Sequence, residues 1–106
     1  METKEFYKRL RELNIPIAYG CFSTSQALPY IVYTESGNLS GGDYLQSTRR
    51  IIYEVELYTS KRDLNIESQL ENILKEIGPF DVDYAMYIKD TDSFLTKYTV
   101  EVYRKE

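Results

Sequence analysis

Two segments of the chain place hydrophobic residues at the three- and four-residue spacing of an amphipathic helix. In the first segment, Phe6, Leu10 and Leu13 line one stripe, and charged residues fill most of the remaining positions. Thr3 can cap this helix, which we expect to run to about residue 13. Pro16 disfavours a helical conformation in the residue before it, so the helix should end near residue 14.

The second apolar stripe is wider and covers residues 66–77. Asp63 is the expected N-cap of this helix, with Asn65 as a competitor. Gly78 suits the left-handed position that follows a helix, and Pro79 comes where the helix cannot continue. The sequence therefore predicts a second helix that ends at this glycine.

Five further segments are predicted β-strands, and most of them alternate in the two-residue period of a strand. They cover residues 17–22, 30–34, 44–59, 82–89 and 94–104. The resulting order, α-β-β-β-α-β-β, predicts a single α+β domain over residues 1–106. We expect a largely antiparallel five-stranded sheet with the two helices packed on one face.

Glycines and small polar residues interrupt the pattern between residues 35 and 42. Ser36-Gly37-Asn38 and Ser40-Gly41-Gly42 are turn-forming sequences, and Gly41-Gly42-Asp43 suggests a hairpin apex or a mobile loop. We expect this segment to separate the second and third strands.

The composition of the chain narrows the possible functions. A net charge of −4 disfavours general binding to phosphate backbones. Arg49 and Arg50 are a weak candidate for a local basic patch, and a solvated strand end is the favoured interpretation. Cys21 is the single cysteine, so no intrachain disulfide can form, and its apolar context predicts a small buried side chain. No segment approaches the ~20 apolar residues of a membrane span, and no signal peptide is visible.

The sequence offers no catalytic or metal-binding motif, so we expect a protein that is not an enzyme and takes no cofactor. With no histidine and one cysteine, neither a Ser-His-Asp triad nor a zinc site can be built. The run from Asp90 to Asp92 resembles the start of a calcium loop. Phe94 and Leu95, however, stand where an oxygen ligand and a glycine are needed, and a turn between strands is favoured.

Two sets of residues are predicted on the sheet face opposite the helices. Glu54, Glu56 and Glu101 could act there as paired carboxylates, although a solvated face is favoured. The second set is aromatic and aliphatic: Ile31, Tyr33, Ile52, Tyr58, Tyr87, Leu95 and Tyr103. A monomer seldom exposes such residues as one patch. The set is therefore either a contact surface or a scatter of half-exposed side chains.

Several segments resemble those of one protein family. The run Glu56-Leu57-Tyr58-Thr59-Ser60-Lys61-Arg62-Asp63 is followed by Glu67, Leu70, Glu71 and Leu74, and residues 15–20, 29–33 and 98–102 add to the similarity. Together these segments resemble the small tail-completion, or head–tail joining, proteins of long-tailed bacteriophages and their prophages. The resemblance covers most of the chain in element order, and residues 37–50 depart from it.

The resemblance implies a structural protein that forms a ring which terminates or joins the tail. Its expected partners are further copies of itself and other phage tail or connector proteins, with no small-molecule substrate, membrane or specific nucleic-acid sequence. Its expected location is the host bacterial cytoplasm during assembly and the virion head–tail junction afterwards. The alternative is a monomeric adaptor or regulator that binds a protein partner by strand addition.

The candidate interface residues combine the aromatic set, the glycine-rich segment and the arginine pair. They are Tyr33, Gly37, Asn38, Gly41, Gly42, Asp43, Tyr44, Arg49, Arg50, Tyr58, Tyr87 and Tyr103.

Overall fold

A computed structural model of the protein describes residues 3–39 and 48–105. The α-helices of this part of the chain are α1 (Thr3–Leu10) and α2 (Leu64–Ile77). The strands are β1 (Ile17–Tyr19), β2 (Tyr30–Leu39), β3 (Thr48–Thr59), β4 (Phe80–Ile88) and β5 (Ser93–Lys105). Two 3-10 helices, Arg11–Leu13 and Lys89–Thr91, make the element order differ from the predicted one.

The five strands form one sheet in the order β1-β2-β3-β5-β4. β1 runs parallel to β2, and the other neighbouring pairs are antiparallel. The sheet is therefore mixed, and the prediction of a largely antiparallel sheet is wrong. The cause is the connection of residues 20–29, which crosses back so that β2 starts beside the start of β1; the amide of Ile31 donates a hydrogen bond to the carbonyl of Pro16. Parallel neighbours need such a crossing, which a tight hairpin cannot make.

Both helices pack on the same face of the sheet and enclose the core. The ring of Phe6 from α1 stacks on Tyr53 with centroids 3.9 Å apart and meets Tyr33 edge-on at 5.5 Å. Leu70 and Leu74 from α2 are fully buried in the same cluster. Each such side chain contributes about 1.5–3 kcal/mol when it leaves water, so apolar contact is what holds the helices to the sheet.

The two ends of α2 are fixed in different ways. Asp63 is the N-cap, and its carboxylate accepts hydrogen bonds from the amides of Asn65 and Ile66, both at 3.1 Å. Gly78 has a φ of 173°, which is extended backbone, so the predicted left-handed conformation is wrong. A glycine is needed here for space instead, because a Cβ would lie 2.4 Å from the carbonyl oxygen of Glu101.

β4 is irregular at Asp83, and this irregularity decides which of its side chains share a face. Val82 pairs with Tyr98 and Tyr84 pairs with Lys97, so Asp83 is an extra residue, a β-bulge. Val82 therefore lies on the helix side of the sheet, whereas Tyr84 lies on the other side. The predicted continuous alternation along this strand is wrong, because one extra residue reverses its phase.

β2 is longer than predicted. Ser36, Gly37 and Asn38, a turn in the prediction, continue the strand and pair with residues 50–52 of β3. The low strand propensity of these three residues is overcome by a ladder that runs along the whole of β2. The rest of the predicted loop and the start of the predicted third strand, residues 40–47, lie outside the described residues.

Candidate protein-interaction surface

The sheet face opposite the helices, here termed the open face, carries charged residues in its centre. The ammonium of Lys97 on β5 lies 2.7 Å from the carboxylate of Glu54 on β3 and 3.3 Å from that of Asp83 on β4. Thr99 donates a hydrogen bond to Asp83 as well. The pKa of Lys97 is raised, chiefly by its hydrogen bond to Glu54. This network ties three neighbouring strands together.

A second network lies on the open face near the end of β5. Nε of Arg50 is 2.9 Å from the carboxylate of Glu101, and the hydroxyl of Tyr103 donates to the same carboxylate at 2.6 Å. The hydrogen bond from Arg50, followed by that from Tyr103, lowers the pKa of Glu101. Arg50 is therefore engaged in an ion pair and is not a free member of a basic patch. The side chain of Arg49 lies outside the described residues.

Aromatic rings cover the other end of the open face. Tyr30 and Tyr58 are register partners on β2 and β3, and their rings stack 4.9 Å apart. Phe22, from the connection before β2, meets Tyr30 edge-on at 5.4 Å. The hydroxyl of Tyr58 donates to Glu56 at 2.9 Å, and burial together with this hydrogen bond raises the pKa of Tyr58. All three rings are half-buried, so part of each remains open to a partner.

β4 is a terminal strand of the sheet, and no other strand of the described chain pairs with its outer edge. Seven consecutive residues, 81–87, are exposed. They include Val82, Tyr84, Met86 and Tyr87, with 44–54% of each residue open to solvent. Unpaired backbone N–H and C=O groups beside apolar side chains favour pairing with another chain.

Two residues predicted on the open face lie in the core instead. Ile31 is fully buried and Tyr33 is only 4% exposed, both on the helix side. The alternation along β2 is as predicted, but its two faces are exchanged, because Tyr33 packs beneath Phe6 and Tyr7 of α1. The ring of Tyr33 is therefore closed to a protein partner in this fold.

The other predicted tyrosines are divided between the two sides of the sheet. Tyr58 and Tyr103 lie on the open face, at opposite ends of it. Tyr87 is 54% exposed but lies on the helix side, so its predicted position is wrong. The bulge at Asp83 is the cause, and the hydroxyl of Tyr87 donates to Asp92 in the following turn.

The remaining candidate residues belong to the stretch of sequence from the end of β2 to the start of β3. Gly37 and Asn38 lie in β2, and Arg49 lies in β3, where it pairs with Leu39. Gly41, Gly42, Asp43 and Tyr44 lie outside the described residues, and their contact with a neighbour stays a prediction.

Sequence reasoning missed the exposed residues of β4 as interface candidates, namely Val82, Tyr84 and Met86. Their alternation with polar residues is visible in the sequence, but such alternation is equally typical of a central strand. Only the strand order, which puts β4 at an edge of the sheet, identifies them.

The described residues do not assemble a catalytic cluster at the carboxylates named from the sequence. Glu54, Glu56 and Glu101 all lie on the open face, but each binds a different side chain, a lysine, a tyrosine and an arginine respectively. Within residues 3–39 and 48–105, no group of three or more His, Cys, Asp or Glu side chains could hold a metal ion.

Two further findings concern Cys21 and the membrane. Cys21 is exposed, so its predicted burial is wrong, because β1 ends two residues earlier at Tyr19. In the described part of the chain, no helix combines the length and the apolar character needed to cross a membrane.

No protein-family model matches this sequence, and no curated protein matches it. The functional role must therefore be inferred from the open face, the β4 edge and the resemblance of the sequence segments described above.

Proposed function

We propose that the protein is a structural subunit of virion assembly at the head–tail junction of a long-tailed phage or prophage. It works as part of a ring that terminates or joins the tail. The observation that carries this proposal is the exposed outer edge of β4, a strand of nine residues that pairs with β5 on one side and with no strand of the described chain on the other. The resemblance of residues 56–63 to the tail-completion proteins supports the phage assignment.

Pairing along β4 would extend the sheet across two protein chains. The backbone groups of its outer edge would gain hydrogen bonds, and Tyr84 and Met86, now 44% and 49% exposed, would be covered. Each Å² of apolar surface removed from water contributes about 25 cal/mol. Pairing along this edge would therefore add burial of apolar side chains to the backbone hydrogen bonds of a subunit contact.

Two segments near opposite edges of the sheet carry opposite net charge. Residues 3–13, which include α1, have four basic and two acidic side chains, and α1 packs over β2, toward the β1 side. Residues 80–92, which include β4, have four acidic side chains and one basic side chain. A ring requires contact between two different surfaces of the subunit. Opposite charges favour contact between the two segments over contact of either segment with itself.

Electron microscopy of the purified protein mixed with tail and connector proteins tests this proposal. The double variant Tyr84→Lys and Met86→Lys puts two charges on the β4 edge and should abolish rings and joined particles. Leu64→Lys adds a charge at a residue on α2 that is 65% exposed and should leave both intact.

Thermal melting of the variants checks that each one keeps its fold. Normal joining by the β4 variant would contradict the role of this edge. Failure of the wild-type protein to associate with any tail or connector component would contradict the assembly function itself.

A monomeric adaptor that binds a protein partner by strand addition is the second candidate. The β4 edge favours it too, because strand addition needs only one open edge. Sedimentation across a wide range of protein concentration separates the two functions. The assembly subunit self-associates, alone or with tail components, whereas the adaptor stays monomeric in both conditions.

A further inference from the structure

A groove of about 470 Å³ lies between the connection of residues 20–26 and the open face. Phe22, Tyr30 and Tyr58 form its aromatic wall, and Glu56 provides a carboxylate beside them. Ile88, the last residue of β4, is part of the same lining. This space, here termed the tyrosine groove, therefore reaches the end of β4.

The aromatic wall has a geometry that attracts positive charge. The stacked rings of Tyr30 and Tyr58 are 4.9 Å apart and tilted by 23°, and Phe22 stands edge-on to Tyr30 at 83°. The faces of such rings carry partial negative charge and bind a cation placed over them. Because all three rings are half-buried, their positions are held by the fold before any ligand arrives.

Glu56 adds a full negative charge that no cationic side chain of the described chain neutralises by direct contact. Its carboxylate accepts a hydrogen bond from Tyr58 at 2.9 Å. Lys97 is its register neighbour on β5, but the ammonium of Lys97 is directed to Glu54 and Asp83. A carboxylate in the same groove lining as the three rings is thus left available for a donor from another molecule.

We propose that the tyrosine groove binds an arginine side chain of a protein partner. A planar guanidinium can lie on a tyrosine face and donate to a carboxylate at the same time, which the compact ammonium of lysine does less well. The partner is a protein because the groove reaches the end of β4. This inference rests on the proposed function, of which it specifies the partner chemistry.

Nuclear magnetic resonance of the purified protein, titrated with the peptide acetyl-Gly-Arg-Gly-amide, tests the proposal. The amide signals of Phe22, Tyr30, Glu56 and Tyr58 should shift in a saturable manner. The same peptide with citrulline in place of arginine keeps the shape without the charge and should produce no such shifts. A lysine peptide should bind more weakly than the arginine peptide.

Two variants with the same change of charge complete the experiment. Glu56→Gln should weaken binding of the arginine peptide by about tenfold, the scale of one lost charge-assisted hydrogen bond. Glu5→Gln makes the same change of charge at an exposed residue of α1, on the other face of the sheet, and should change the affinity less than twofold.

The proposal would be overturned if the citrulline peptide bound as tightly as the arginine peptide. It would also be overturned if both variants weakened binding equally, or if the shifted amide signals belonged to residues outside the groove. The titration contains no tail or connector protein, so its failure leaves the assembly function standing. Conversely, if the groove binds the peptide but the protein joins no particles, the assembly function is disproved and the arginine site is not.

Discussion

At the scale of the residue, Glu101 illustrates how neighbours set the charge of a side chain on the open face. Arg50 and Tyr103 both donate hydrogen bonds to its carboxylate, and its pKa is lowered from 4.5. A carboxyl group whose pKa is lower in the folded chain stabilises the fold at pH values above its ordinary pKa. That stabilisation is lost as the pH falls through the lowered value.

Arg50→Met should therefore raise the pKa of Glu101, because the variant removes the largest contribution to its shift. Titration of the Glu101 carboxyl carbon by nuclear magnetic resonance measures this directly. Arg62→Met is the matched control, since the guanidinium of Arg62 lies 3.4 Å from Glu67 rather than near Glu101. An unchanged pKa of Glu101 in the Arg50 variant would show that the ion pair is absent in solution.

Two of the tyrosines lie where the sequence did not predict them. Tyr33 was expected on the open face and is buried, whereas Tyr87 was expected there and is exposed on the helix side. A tyrosine ring suits a core or a surface equally, because it is apolar along its body and polar at its tip. Aliphatic residues of α2 such as Leu70 and Leu74 lack this ambiguity, and their predicted burial is confirmed.

At the scale of the element, the junction between α2 and β4 depends on close approach of two backbones. Gly78→Ala should destabilise the fold by about 1–3 kcal/mol, the usual cost of forcing extra atoms into a packed site. The added Cβ would lie 2.4 Å from the backbone oxygen of Glu101, which cannot rotate away as a side chain could.

Urea denaturation of the Gly78 variant measures this loss, with Ser68→Ala on the exposed side of α2 as the control. Equal unfolding midpoints for the two variants would show that the junction relaxes without cost.

Helices and strands were predictable from the sequence where a regular hydrophobic pattern is bounded by a residue that typically starts or ends the element. The N-cap Asp63 and the apolar stripe after it identify α2, and the confirmed packing of both helices on one face follows from their stripes. The parallel placement of β1 was not predictable, because it depends on where the connection of residues 20–29 crosses. Nor was the edge position of β4, since strand order follows from contacts between distant segments.

At the scale of the whole molecule, the distribution of charge decides how two copies can meet. Raising the salt concentration from about 0.1 M to about 1 M shortens the screening length from about 10 Å to about 3 Å. If the basic α1 side of one copy meets the acidic β4 side of the next, self-association should weaken over this range. Symmetric pairing of β4 with β4 would bring acidic residues together, and salt would strengthen it.

Sedimentation equilibrium at the two salt concentrations distinguishes these arrangements. Lys8→Glu on α1 should weaken self-association in the same way as salt, because it removes a positive charge from the basic side. Lys75→Glu, an equivalent exposed change on α2, should have little effect. Association that strengthens with salt would exclude the head-to-tail arrangement.

The bulge in β4 also restricts which sequences can lie along its edge. Phe80 and Val82 turn toward the helices, whereas Tyr84 and Met86 turn the opposite way. A regular strand that pairs with this edge faces apolar residues on the helix side along its first half and on the open face along its second half. Its own apolar residues must therefore change from one face to the other at the bulge. A partner strand should therefore carry two adjacent apolar residues at its midpoint. This pattern can be sought in the sequences of tail and connector proteins.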